Sequence, residues 1–206
     1  CKKWELFCNT VKYKYIIMGT IFVDKLDPQS GTNLTLGSSG DTVTLTSGAK
    51  TSGFGKIGQV VTTEITATDY SNTSTSPAEI TNLNVAITPS STSSKVLVMG
   101  KIMFGSSASA RNFIQLRRGD TKIGNSPAAG SRQEVIGVAT SAAVNDIMTV
   151  NFHYIDSPST TSATTYKVFG CREGSGAFRL NRSENDTDDA TVSRGTSVIT
   201  VMEILD

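Results

Sequence analysis

The chain has 206 residues, with 19 Lys and Arg, 18 Asp and Glu and a single His, for a formal net charge of +1. Hydrophobic residues make up 37% and charged residues 18%, while Ser and Thr together supply about a quarter of the chain. The near-neutral balance gives no electrostatic basis for binding nucleic acid or an acidic membrane, and the length suits one ordinary domain plus an appendage. Thr favours half-buried pleated surfaces and Ser and Gly favour turns, so the composition points to an all-β protein.

Residues 1–17, CKKWELFCNTVKYKYII, differ in composition from the rest of the chain. Lys12 and Lys14 interrupt every apolar run, so the segment matches neither a signal peptide nor a membrane span. The expectation is that Met18 is the true start and that residues 1–17 are upstream sequence or a fragment edge. Residues 18–57 then form a connector. Here Leu34-Thr35-Leu36-Gly37 and Val43-Thr44-Leu45-Thr46 form a near repeat, each ending in small turn residues. Strands this thin cannot bury a face alone and become stable only by stacking on neighbours or on other copies. Packed against other copies of the chain, Leu34, Leu36, Val43 and Leu45 could turn inward, so a self-associating shaft is expected.

Residues 58–206 read as a β-sandwich head, joined to the shaft by the Gly-rich Thr51–Gly58. Gln59–Thr68 is β-branched throughout and Asp69–Glu79 is a polar loop. Ile80–Thr88 sets Leu83, Val85 and Ile87 against Asn82, Asn84 and Ala86, the period-2 pattern of a strand with one buried face. Lys95–Phe104 is nearly continuously apolar and suits a central strand. Arg111–Gly124 reads as a hairpin turning at Gly119-Asp120. In Asp146–Ile155, Met148, Val150, Phe152 and Tyr154 fall on one face, with Thr149, Asn151, His153 and Ile155 on the other. Asp156–Ala163 is then a loop, and Tyr166–Phe169, Phe178–Leu180 and Ser197–Leu205 complete the set. About eight short strands with regularly spaced turns suggest a sandwich or jelly roll.

Catalytic and metal chemistry find little support. His153 is the only histidine, and a lone His on a strand is a surface or interface residue far more often than a base or ligand. Cys1, Cys8 and Cys171 make no disulfide framework, and Cys171 is expected to be free and partly buried. Arg118-Gly119-Asp120 spells an adhesion tripeptide, but its context favours a simple hairpin turn. The acidic run Glu184–Asp189 lacks the Gly and the terminal acid of a calcium loop, and Arg182 and Arg194 can balance its charge. Asn33, Asn72, Asn181 and Asn185 sit in glycosylation sequons at a frequency that composition alone explains. Neither a cofactor nor an enzymatic activity is expected. A polysaccharide depolymerase would need paired carboxylates, whereas Glu64, Glu79, Glu134, Glu173 and Asp156 are scattered.

Met18–Ala49, MGTIFVDKLDPQSGTNLTLGSSGDTVTLTSGA, resembles the N-terminal segment of tail-fibre-like and other structural proteins of marine bacteriophages, including those infecting cyanobacteria. Phe152–Val168 and Leu180–Leu205 are similar to their C-terminal heads. The resemblance covers Met18 to the end and implies a virion protein, trimeric, with a jelly-roll head of the complement and tumour-necrosis-factor type. Its expected partners are other virion proteins and a host-surface glycan or outer-membrane component, with assembly in the host cytoplasm. It carries no catalytic residues. The expected receptor-contact residues are Tyr70 and Asn72 in Asp69–Pro77, Ser159 and Thr160 in Asp156–Ala163, and Arg182, Asn185 and Asp186 in Asn181–Asp189. A capsid decoration or tail connector protein without a receptor is the alternative.

Overall fold

The computed structural model describes residues 56–205. The expected leader, and the shaft residues Leu34, Leu36, Val43 and Leu45, lie outside the described residues. Within them the secondary structure is entirely β. The long strands are β1 (Ile57–Ile65), β3 (Ala78–Ile87), β4 (Lys95–Gly105), β5 (Arg111–Arg118), β7 (Gly137–Thr140), β8 (Met148–Asp156), β9 (Thr164–Arg172) and β11 (Ser197–Ile204). Three short pieces, β2 (Ser71–Asn72), β6 (Thr121–Lys122) and β10 (Phe178–Leu180), prolong the lines of β1, β7 and β11 respectively.

Pairing orders the long strands β1-β11-β4-β8 in one sheet and β3-β9-β5-β7 in the other, all antiparallel. The chain crosses between sheets at every connection of these long strands except β5 to β7. That order is the jelly roll of two Greek keys expected from the sequence. The expected central strand, β4, is hydrogen-bonded along both edges, to β11 and to β8. The alternation expected in β8 holds: Val150 and Phe152 are buried, while Thr149, Asn151, His153 and Ile155 are exposed.

Inward residues of both sheets meet in one core. Val96, Val98, Ile102, Phe104, Ile199 and Val201 come from the first sheet, and Ile80, Leu83, Val85, Ile114, Leu116, Tyr166 and Val168 from the second. Phe104 and Phe178 stack with ring centroids 4.8 Å apart, and Tyr70 meets Phe178 edge-on at 6.3 Å. Gly100 makes room for the Phe152 ring paired across from it, where a Cβ would collide with the ring.

Several expected boundaries are corrected. Ile57 and Gly58 belong to β1, not to a joint, because Ile57 pairs with Ile204. The polar stretch before β3 contains the short β2, and Ala78 and Glu79 already pair with β9. β3 carries a bulge between Glu79 and Asn84, with Asn82 at φ 66°. Period-2 reading cannot see such an insertion, because Leu83, Val85 and Ile87 keep their alternation beyond it. β7 is an addition to the expected strands, since Gly137-Val138-Ala139-Thr140 is short and its apolar residues form no marked pattern.

Candidate functional site

The topology sorts the connections onto two ends. Residues 66–77, 106–110, 141–147 and 173–196 gather at one, here the loop end. Residues 88–94, 119–136 and 157–163 gather at the other, where Leu205 N–H donates to Lys56 O at 2.7 Å. The described chain therefore enters and leaves at this second, entry end.

Of the expected contact residues, Tyr70, Asn72, Arg182, Asn185 and Asp186 come together at the loop end. Ser159 and Thr160 do not: their loop joins β8 to β9 and lies at the entry end. The three candidate loops therefore lie at opposite ends, because successive crossings between sheets alternate the ends on which loops fall. Asp156, expected to open that loop, is instead the last residue of β8, 5% exposed.

The loops at the loop end are tied to one another by side chains reaching backbone groups. Asn181 is fully buried at φ 57°; its Nδ2 donates to Ile65 O at 2.8 Å and Ala67 O at 3.0 Å, and its Oδ1 accepts from Ser197 Oγ at 2.7 Å. Both amide functions are used inside the fold, so this sequon asparagine is no glycan acceptor in the folded chain. Arg182 Nε donates to Thr68 O at 3.0 Å. Asn185 Nδ2 donates to Asn145 Oδ1 at 3.0 Å, and Asn72 Nδ2 to Gly170 O at 2.9 Å. Arg172, 7% exposed, donates to Gly176 O at 2.7 Å and Thr73 O at 2.8 Å. Asn72, Arg182 and Asn185 thus act first as struts.

Two concavities open at this end. The first, of 430 Å³, is lined by Asp186–Asp189 and Val192–Arg194. Apart from the exposed Asp188, its charges are partnered internally. Arg194 donates to Asp186 at 2.9 and 3.1 Å, and Arg182 Nε lies 3.9 Å from Asp186. The Arg194 hydrogen bond foremost holds the Asp186 carboxyl below the usual range. Asp189 is lowered likewise by the backbone and hydroxyl of Thr191, and Glu184 pairs with Arg179 at 2.9 Å. The expectation that Arg182 and Arg194 balance this acidic run is met at Asp186.

The second cleft, of 410 Å³, is lined by Ile65, Ala67, Asp69, Tyr70, Ser71, Thr81, Asn82 and Leu180. Its wall is the β3 bulge, which turns Thr81 and Asn82 to solvent while Ile80 and Leu83 stay in the core. Its floor carries Tyr70, half-buried and weakly bonded through its hydroxyl to Ala78 O at 3.3 Å. Burial, then the neighbouring Cys171 and Glu79, push the Tyr70 phenol up to about 12, so it is a neutral donor at any physiological pH. Asp69 is exposed at the rim. A neutral phenol, an exposed carboxylate and Ser, Thr and Asn side chains in a shallow groove can exchange hydrogen bonds with hydroxyl-rich ligands. Sequence reading found Tyr70, but Thr81 and Asn82 were hidden, because a regular strand puts Asn82 outward and Thr81 inward with Leu83, and only the bulge exposes both.

At the entry end two buried carboxylates are each fully partnered. Arg118 donates to both oxygens of Asp156 at 3.0 and 2.8 Å, and Tyr166 Oη donates to Asp156 at 2.8 Å. Glu203, 1% exposed, accepts from Gln59 Nε2 at 2.9 Å and from Ser90 N and Oγ at 2.6 and 2.7 Å. Both are structural braces. The tripeptide 118–120 is the expected hairpin, with Gly119 at φ 56° and Arg118 committed to Asp156. Cys171 is free and fully buried, more so than expected, and burial pushes its thiol up to about 11. Among the described residues no group of three or more His, Cys, Asp or Glu side chains is placed to hold a metal ion.

No protein-family model matches the chain, and no curated protein matches it. Among solved structures, chains from infectious bursal disease virus, Gt and Gx strains, align at 13% and 15% identity with TM-scores of 0.38 and 0.34. Each alignment covers 72% of this chain, and this chain spans 38% and 37% of the length of those two. Similarity that low carries no argument about what this chain does.

Proposed function

We propose that the chain is a non-catalytic virion structural protein, a homotrimeric bacteriophage fibre or receptor-binding head that touches host-surface glycans through its loop end. The resemblance of Met18–Ala49, Phe152–Val168 and Leu180–Leu205 to marine phage structural proteins supports the virion assignment and a location on the particle. One observation carries the contact reading: the cleft of Asp69, Tyr70, Ser71, Thr81 and Asn82 opens at the end opposite the chain's entry at Lys56. Shallow hydrogen-bonding grooves bind single sugars weakly, and several copies on one particle gain avidity without deeper pockets.

The test is binding of the full chain to purified bacterial surface polysaccharides, measured on the wild type and on Asp69→Ala and Asn82→Gly, both outside the core. Saccharide binding that weakens at least about tenfold in either variant is expected. Binding that neither substitution changes, or none to any saccharide, would overturn the reading.

The internal pairing of Asp186, Glu184 and Asp189 favours a second reading, a capsid decoration or tail connector protein, because most of the charge in that half of the loop end is already partnered. Immunogold labelling separates the two: label on the capsid shell supports decoration, label at fibre tips supports attachment.

A further inference from the structure

The outer face of the β1-β11-β4-β8 sheet has a composition that a solvated face does not explain. In an antiparallel sheet with one face in the core, the other face normally carries polar residues. Here the registers Val60↔Met202, Met202↔Leu97 and Leu97↔Ile155 place four apolar side chains in one row straight across all four strands. Val60 and Ile155, at the ends of the row, are 52% and 53% exposed. Ile57, 52% exposed, and its partner Ile204 extend the apolar area toward the entry end, and the exposed Lys95, paired with Ile204 on β4, bounds it there. The next row toward the loop end is Thr62, Thr200, Met99 and His153, and the one after it is Glu64, Val198, Lys101 and Asn151.

We infer that this face is covered by a second copy of this chain, packed with its strands running in the same direction. Two observations point to a copy rather than to an unrelated partner. First, the row of Glu64 and Lys101 holds one carboxylate and one ammonium, both exposed, and neither forms an ion pair with a described residue. Glu64 and Lys101 stand two strands apart, about 10 Å, too far to pair on one sheet. The same row on another copy offers each of them its opposite.

Second, that pairing works in only one orientation. Parallel copies set apolar row on apolar row and charged row on charged row. Antiparallel copies would press Glu64 and Lys101 onto Val60, Leu97 and Met202, burying charge against hydrocarbon. The sheet offers roughly 600 Å² of flat surface at ordinary strand spacing, near the ~800 Å² per partner of a stable interface. The inference holds whether or not the loop end binds a glycan.

The test uses the full chain, co-refolded as a mixture of ordinary and nitrogen-15-labelled protein, with a zero-length carbodiimide that joins carboxylates to amines in contact. A Glu64–Lys101 cross-linked peptide containing one light and one heavy half is expected. Absence of that mixed peptide, whether or not light–light and heavy–heavy species form, overturns the proposal. A second measurement tracks melting temperature against protein concentration. Glu64→Lys and Lys101→Glu should each lower it at a fixed concentration, and the double exchange should restore it. A double exchange no better than the worse single one also overturns the proposal.

Discussion

Tyr166, on β9, donates its phenol proton to the carboxylate of Asp156, at the end of β8, across 2.8 Å and from one sheet of the sandwich to the other. The same carboxylate receives two hydrogen bonds from Arg118. This triad closes the entry end of the core in the way a buried charge requires, with every oxygen partnered. Removing the acid alone leaves the phenol and part of the guanidinium without an acceptor. Asp156→Ala is expected to cost about 2–4 kcal/mol and Tyr166→Phe about 1–2 kcal/mol, read from urea unfolding midpoints at constant slope. Equal losses in the two variants would mean that the carboxylate matters only as the partner of the phenol.

Alkali should unfold the protein in a defined window. Burial foremost raises Tyr166, with its hydrogen bond to Asp156 adding to the effect, and burial raises Tyr70 to about 12. A phenol raised in the folded state contributes stability that is fully present below its unfolded value of 10.0 and is lost as pH rises through the folded one. Unfolding free energy is therefore expected to fall between about pH 10 and 12, and Tyr70→Phe and Tyr166→Phe should each flatten that fall. A slope unchanged in both variants would place the alkaline loss elsewhere.

Glu203 gives the opposite dependence. Burial alone would raise its carboxyl, but the hydrogen bonds from Gln59 and Ser90 together outweigh burial and hold it below its usual value of 4.5. A lowered acid contributes stability that is present above 4.5 and is lost as pH falls through the folded value. Glu203→Gln turns an amide N–H₂ toward donors and should cost about 1–3 kcal/mol at neutral pH, with a shallower acid limb. Gly58→Ala should mimic part of this, since a Cβ there would stand 2.8 Å from Glu203 Oε2.

Gly105→Ala tests how far the loop end depends on close backbone approach. A Cβ at Gly105 would lie 2.5 Å from Arg182 O and 2.6 Å from Ser183 Cα, backbone atoms that no rotamer change can move. Displacement of the 181–185 segment is expected, with hydrogen exchange rising at Asn181 and Asn185. Gly100→Ala meets only the Phe152 ring and should cost about 1–3 kcal/mol without disturbing the loops.

Cys171 should be inert in the native state. Its thiol is fully buried and raised to about 11, so little thiolate forms at neutral pH. Alkylation at pH 8 is expected only once denaturant opens the core; fast reaction of the folded chain would contradict the burial.

Local patterns were enough for the all-β class, the central place of β4, the inward set of β8 and the hairpin at Gly119-Asp120. In each case the signal is an alternation or a turn residue whose meaning depends on its chain neighbours alone. Residue types also singled out Tyr70 and the arginine-balanced acidic run. They did not reveal that Asp156 and Glu203 are buried braces, because a carboxylate at a strand end looks the same whether or not an Arg118 or a Ser90 arrives from far along the chain. Ser159 and Thr160 read as contact candidates just as Arg182 and Asn185 do, and only the alternation of crossings between sheets sends the two pairs to opposite ends. The bulge that opens the Thr81–Asn82 wall, and the apolar row from Val60 to Ile155, likewise emerge only in the folded chain. Both are statements about register between strands distant in sequence, fixed by the ladder and the core together.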